Sequence, residues 1–298
     1  MDKAKEHIIS SDREIVLQVL ICTYGQDGIE RVALSEHPQV DGIKYLVSWQ
    51  TDGDTKAPKE LDRPDFRILP SATKGLSVNR NIALSRASAP IVLISDDDVD
   101  YTKEGLLAIV DAFVRNTNVD IVTFRYASSS HTKHYPSAPC DLSTPEKGYF
   151  VTSFEIALRR ESVQGKIWFN ENFGIGAAFP SGEEDIFLRD CLDAGLKGIY
   201  LPLTIARHDS TTTSERNLML ASRPQTKGAV FLRLHPRQWP LRMIAHALRE
   251  IPLWRKKLTP SPISYCLNWL KGVRIARKMK VFPTPDYSFQ YPCHEQSE

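Results

Sequence analysis

Three groups of residues have the types and spacing to do chemistry. Ser95-Asp96-Asp97-Asp98-Val99-Asp100 directly follows the apolar segment 91–94. Carboxylates two apart on extended backbone point to one side, and open α/β sheets bind ligands at the carboxyl ends of their strands. Asp96 and Asp98 so placed offer hard oxygen ligands for Mg²⁺ or Mn²⁺, which can hold a diphosphate. The second group, Gly182-Glu183-Glu184-Asp185, stands at the start of an expected helix. One acid there answers to the helix dipole. Three in succession repel one another, which raises a pKa and favours a general base. The third is His208, after Pro202 and an apolar segment; it would add nitrogen to the two aspartates, a mixture that suits Mn²⁺. Taken singly, each has a plainer reading: an acidic loop capping the next helix, ordinary helix-start acids, and a structural histidine.

These groups need a scaffold, and the hydrophobic pattern supplies one. Residues 14–23 (EIVLQVLICT), 44–49, 65–69, 91–95, 120–126, 148–158 and 198–201 read as strands. Helices are expected over 27–35, 75–86 and 183–194, the last ended by Gly195. Another runs from an N-cap at Thr102 to about 116. Alternating apolar strands and helices predict a mainly parallel α/β sheet covered on both faces. No GxGxxG or GxxxxGK[ST] occurs at a strand-to-helix turn, which leaves no support for a Rossmann dinucleotide site or a P-loop.

Beyond Ser210 the character changes. Residues 209–228 are polar and threonine-rich and read as a mobile loop. Helices follow over 239–249 and 263–279, the second with Ser261 as N-cap and Pro262 at the first helical position. Its residues Ile263, Cys266, Leu267, Leu270, Val273 and Ile275 form an expected apolar face opposite Lys271, Arg274, Arg277 and Lys278. That face suits packing on the domain or contact with a membrane surface, and tryptophans 239, 254 and 269 suit an interface of either kind.

Composition narrows the class. The 298 residues are 42% apolar and 25% charged, ordinary for a globular chain with a sizeable core. The longest aliphatic run, Ile91-Val92-Leu93-Ile94, falls far short of the ~20 residues of a membrane helix. Residues 1–13 alternate charges with no apolar stretch, so no export signal is expected. Cysteines 22, 140, 191, 266 and 293 are odd in number and never form CxxC, which excludes a disulfide framework or zinc module and points to a cytoplasmic protein. The net charge of +2 hides an asymmetry: residues 223–280 hold 14 Lys and Arg against Glu250 alone, leaving −11 on the remainder. Such a basic region implies an anionic partner, and a membrane surface is the one expected. Nucleic acid is not, because no recognised binding module is present.

The three groups, in this order, resemble inverting glycosyltransferases of family 2 with a GT-A fold. The likeness also rests on Val19-Leu20-Ile21-Cys22-Thr23-Tyr24, Gly75-Leu76-Ser77-Val78-Asn79-Arg80-Asn81 and Phe169-Asn170-Glu171-Asn172-Phe173-Gly174-Ile175-Gly176. It spans residues 14–208, and among family members is nearest to those of bacterial capsule and surface polysaccharide assembly. It implies a GT-A domain over 1–210 and a basic helical extension over 211–298. It further implies a nucleotide-sugar donor, UDP-linked, and a saccharide or lipid-linked saccharide acceptor at the inner face of the cytoplasmic membrane. Asp185 would be the base, with Glu184 orienting the acceptor. Asp96, Asp98 and His208 would hold Mn²⁺ or Mg²⁺. Thr23, Tyr24, Arg80, Asp96 and Asp97 would contact the donor, with Asn81 supporting the loop. Arg207, Arg216, Arg223 and Lys227 would close over the diphosphate, unless they are only solvated surface charge.

One position departs from the family pattern. An aspartate usually follows the second strand and meets the uracil ring; here Gln50-Thr51-Asp52 stands there, with Gln50 or Asp52 as substitute. Two other readings compete. A sugar nucleotidyltransferase would need a glycine-rich loop after the first strand, which Thr23-Tyr24-Gly25-Gln26-Asp27 does not provide. A non-catalytic, membrane-associated scaffold would be expected to have lost at least one of Asp96, Asp98, Asp185 and His208.

Overall fold

The computed structural model describes residues 15–53, 56–130, 132–209, 222–255 and 261–279, apart from the side chains of 253 and 254. Its frame is a nine-stranded sheet in the order β3-β2-β1-β4-β8-β6-β9-β5, with β7 also paired to β9. The strands are β1 Leu17–Tyr24, β2 Ile43–Gln50, β3 Phe66–Ser71, β4 Ile91–Ser95, β5 Asp100–Tyr101, β6 Ile121–Ala127, β7 Cys140–Asp141, β8 Ile156–Arg159 and β9 Gly198–Arg207. The continuous apolar character of β1 and β4 follows from their central place, since both faces of these strands are covered. The helices of this part are α1 Gly25–Leu34, α2 Leu76–Arg86, α3 Lys103–Arg115, the single turn α4 Arg160–Val163, and α5 Glu183–Asp193. Thr102 caps α3 as expected, its hydroxyl accepting from the Gly105 amide at 3.0 Å.

The sheet is mainly parallel in its long ladders, β3-β2-β1-β4 and β6-β9, with short antiparallel pairings added. β3, β2, β1 and β4 run parallel, but β8 is antiparallel to both β4 and β6, and β5 and β7 are antiparallel to β9. The expected strand over 148–158 is strand only from Ile156. Thr152 and Glu155 form a reciprocal capping box around a 3-10 turn at Ser153–Glu155, which takes that backbone out of the ladder.

The C-terminal region adds α6 Ser222–Leu234, α7 Trp239–Arg255 and α8 Pro262–Lys278. α6 replaces part of the expected loop; residues 210–221 of that loop lie outside the described residues. Pro224 and Gly228 hide α6 from a propensity reading, yet Gly228 is what lets it form where it does. A Cβ there would stand 2.3 Å from the Trp269 carbonyl oxygen, and one at Gly272 would stand 1.9 Å from that of Gln225. Two glycines thus allow α6 and α8 to cross with backbones in contact. The crossing also turns α8 away from its expected orientation. Tyr265, Trp269, Gly272, Val273 and Ala276 are buried, while Ile263, Leu267 and Leu270 face outward. Trp269 and Tyr265 join Phe173, Phe179, Ile186, Ala229 and Leu232 in one apolar cluster, so the extension packs on α5 and the loop before it.

Candidate active site

α2 organises the site with polar residues that are nearly all buried. Asn79 Nδ2 donates to the Thr23 and Ser48 carbonyl oxygens, both at 3.0 Å, joining the ends of β1 and β2. Asn81 grips Phe169 at both its carbonyl and its amide, and Ser77 Oγ donates to the Phe173 carbonyl at 2.6 Å. Such buried polar groups are tolerated because nearly every donor has a partner. The result is that the loop over 169–179 is pinned beside the strand ends.

The aspartate run at the end of β4 is split three ways. Asp97 receives two hydrogen bonds from Arg31 on α1, at 2.9 and 3.0 Å, and one from Thr23 Oγ1 at 2.6 Å. Gly28 is required next to this contact, since a Cβ would lie 2.2 Å from Thr23 Oγ1. Burial still pushes the Asp97 carboxyl above its ordinary value, with Arg31 and Thr23 opposing it. Asp96 accepts from Arg80 Nη2 at 2.8 Å and from Ser153 Oγ at 2.9 Å. Asp98 Oδ1 lies 3.2 Å from His208 Nε2, both residues standing beyond the ends of β4 and β9. The imidazole sits against Phe154 and Tyr126, and its Nδ1 is buried without a partner. Burial alone would lower the His208 pKa, but the hydrogen bond and charge of Asp98, helped by Asp96 and Asp209, raise it.

Arg80 links this run to the second one. Only 2% exposed, it holds Asp96 with Nη2 and Glu183 with Nη1, each at 2.8 Å, and lies over the Phe169 ring. Glu183 opens α5, whose N-cap Gly182 has φ +91°, a left-handed conformation suited to glycine. Beyond Glu183 the acids are crowded rather than paired. Glu184 Oε2 is buried with no partner, and its carboxyl stands well above the usual range through burial first and Glu183 second. Asp185 keeps a water-accessible face among surrounding protein atoms. Loss of hydration and then the charge of Glu183 push it up to about 6, while Lys227 and Lys133 pull it down.

The other sequence candidates lie nearby or apart. Tyr24 is exposed beside the buried Thr23. Gln50 is buried and donates to Thr73 Oγ1 and the Gly75 carbonyl, which ties the end of β2 to the start of α2. Asp52 is exposed and meets only Lys74 among the described residues, at 3.4 Å. Arg223 is bound to Glu250 on α7 and does not reach across a diphosphate site; Arg216 lies outside the described residues.

Several neighbours were not visible in the sequence. Arg31, Ser153, Lys133 and Glu155 come from distant segments with no motif, while Glu183 stood in the expected acidic run without its own role being read. Glu155, fully buried, accepts from Lys133 Nζ, from Tyr135 Oη and from the Thr152 amide. Burial holds Lys133 below its ordinary pKa, with Glu155 opposing that shift. Only the third acid of the Glu183 run signalled that something beyond a helix start was there.

Could a divalent cation sit here? Among the described residues, no three His, Cys, Asp or Glu side chains gather in a metal-binding group. Asp96 is turned to Arg80 and Ser153, whereas Asp98 and His208 stand side by side with an oxygen and a nitrogen donor 3.2 Å apart. That pair fits a two-point protein grip on a cation whose remaining ligands come from a diphosphate.

Residues 50–179 match the family model described as Glycosyl transferase family 2. The fold is similar to crystal structures of S. aureus TarS. For the fragment 1–349 the TM-score is 0.51 at 16% identity, covering 93% of this chain and 88% of that one. With UDP bound it is 0.53 at 15% identity, with the same coverage. With UDP-GlcNAc it is 0.51 at 15% identity, covering 89% and 91%. No curated protein matches the chain. The family-model match over residues 50–179 and the likeness of fold agree: this part of the chain is similar to glycosyltransferases of family 2, on a fold like that of the GT-A enzymes.

Proposed function

We propose that the protein is an inverting glycosyltransferase that moves a sugar from a UDP-linked donor to a hydroxyl of a saccharide or lipid-linked saccharide acceptor in surface polysaccharide assembly. The observation that carries this reading is the Arg80 bridge, because one buried guanidinium ties the β4 aspartates to the helix that bears Asp185. Donor and acceptor chemistry then share one cleft. The UDP and UDP-GlcNAc bound by TarS support the choice of donor; the sequence resemblance supports the acceptor class.

In this reading Thr23 and Tyr24 wall the nucleotide, with Arg31 and Asp97 holding Thr23 in place. Asp98 and His208 would hold Mn²⁺ or Mg²⁺, which when bound stabilises the negative charge of the departing diphosphate. Asp185 accepts the proton of the acceptor hydroxyl as its oxygen forms the new bond to the sugar C1. The bond from C1 to the diphosphate oxygen breaks in the same step, on the opposite face, so the configuration inverts. Glu184, buried and pushed toward its protonated form, can donate a hydrogen bond that orients the acceptor. Arg80 holds both carboxylate runs at a fixed separation.

The domain division at residue 210 and a peripheral place at an anionic membrane belong to the same proposal. Leu241, Ile244 and Leu248 share one face of α7 at helical spacing and are exposed, as are Ile263 and Leu267 on α8. Arg242, Arg249, Lys271 and Arg274 stand on the same helices, and such apolar and basic faces suit an anionic lipid surface. No helix among the described residues is long and apolar enough to cross a membrane. Binding to vesicles rich in anionic lipid, lost in L241E/L267E, is the expected result; equal binding by both proteins refutes the membrane placement.

The test of the catalytic reading is thermal stabilisation by UDP, GDP, CMP and dTDP, each with and without Mn²⁺. Stabilisation by UDP that needs Mn²⁺ is expected. A ligand at 100 times its Kd adds ~2.7 kcal/mol, easily seen as a melting shift. No response to any nucleotide in folded protein would overturn it.

A further inference from the structure

We propose that Lys227, carried by α6 of the C-terminal extension, is a positioning residue for Asp185, keeping its carboxylate turned and charged for proton abstraction, so that the extension is part of the catalytic unit. The inference rests on the reading of Asp185 as the base. Its geometric ground is the contact between α5 and α6. Gly182, Ile186 and Asp190 recur every four residues on α5 and form the face that meets α6. A Cβ on Gly182 would lie 2.5 Å from Val230 Cγ2, Ile186 packs with Ala229 and Leu232, and Asp190 is ion-paired to Arg233. Asp185 borders that face. Lys227 is one turn before Val230 on the same side of α6, which brings its stem to the N-terminal end of α5.

The charges around the pair leave Lys227 available for this role. Arg223, one turn earlier, is committed to Glu250 on α7 through contacts of 2.8 and 3.1 Å. Arg233 is committed to Asp190, and Lys133 to Glu155. Arg80 is taken by Asp96 and Glu183. Lys227 has no ion pair among the described residues, and Asp185 is among the charges acting on it, as it is among those acting on Asp185. Glu183 and Glu184, preceding Asp185 on α5, push the other way. Without a cation from α6, the three adjacent carboxyls would answer, among the described residues, to Arg80 and Lys133. Burial and Arg223 also hold Lys227 below its ordinary pKa, which is what an ammonium drawn into a protein contact would show.

The experiment is an NMR titration of full-length protein with isotope-labelled aspartate carboxyls, the Asp185 signal being the one absent from D185N. Wild type is expected to titrate near 6. K227M is expected to move the midpoint up by about 1, and K227R to return it, because an opposite charge nearby favours the ionised form. The acid limb of donor turnover moves with it, a roughly tenfold loss of ionised base well below the midpoint. An unchanged midpoint in K227M with a wild-type melting curve would refute the assignment, as would K227R behaving like K227M. If K227M melts early, K227Q makes the same comparison with the side-chain length largely kept. A failure of UDP to stabilise the protein would sink the donor reading and leave this titration standing, so the two can be told apart.

Discussion

Two runs of three acids, bridged by Arg80, have opposite fates. Asp96, Asp97 and Asp98 each meet a different partner: Arg80 with Ser153, Arg31 with Thr23, and His208. Glu183, Glu184 and Asp185 share Arg80 through Glu183 only, and two of the three carboxyls are pushed upward. The first run is compensated in advance and suits holding something charged; the second is under-compensated and suits taking a proton. In the proposed reading, side chains of like chemistry take two roles according to whether each carboxyl has its own hydrogen-bonded partner.

The sharpest way to break that contrast is D185N, which removes the proposed base and leaves the aspartate run intact. Transfer should fall by roughly 10²–10⁴-fold, while UDP with Mn²⁺ still raises the melting temperature. In the wild type, activity should fall as the pH drops through about 6, where Asp185 takes up its proton. The sign for stability is opposite. A folded carboxyl that holds its proton above the ordinary 3.8 costs stability as pH rises toward about 6, a slope that D185N should flatten in urea melts.

Next in size is R80M, which strands Asp96 and Glu183 together. Breaking a buried pair by removing one partner costs about 3–5 kcal/mol, to be read from urea unfolding; R80M melting like wild type would mean the bridge is dispensable. G272A tests whether the extension depends on the helix crossing. With a Cβ 1.9 Å from the Gln225 carbonyl oxygen, it should lose about 1–3 kcal/mol in the same measurement. The smallest effect belongs to D52N. Its exposed pair with Lys74 should contribute less than about 1 kcal/mol, and UDP stabilisation should be kept if Gln50 rather than Asp52 bounds the nucleotide base.

Much of the frame was legible in the chain. Apolar runs fell on β1, β2 and β4, and the N-cap at Thr102 and the stop at Gly195 were where their residue types predicted. Errors arose where long-range contact overrode local pattern. Residues 148–152 have strand composition, yet the Thr152–Glu155 box and the bond from Ser153 to Asp96 draw that segment away. α6 looks like loop because glycine and proline are poor helix formers, but the crossing with α8 needs the glycine. α8 has two apolar faces in sequence; the one holding Trp269 and Gly272 was chosen by the partner helix.

The sequence by itself determined which residues could do chemistry: acids after β4, acids at the start of α5, and a histidine after β9, because residue type and periodicity are local. Only the tertiary structure decided what each acid meets. Arg31, Arg80, His208 and Lys227 arrive from segments far apart in the chain, and a carboxyl's behaviour depends on charges and burial within a few ångströms, which no local pattern records.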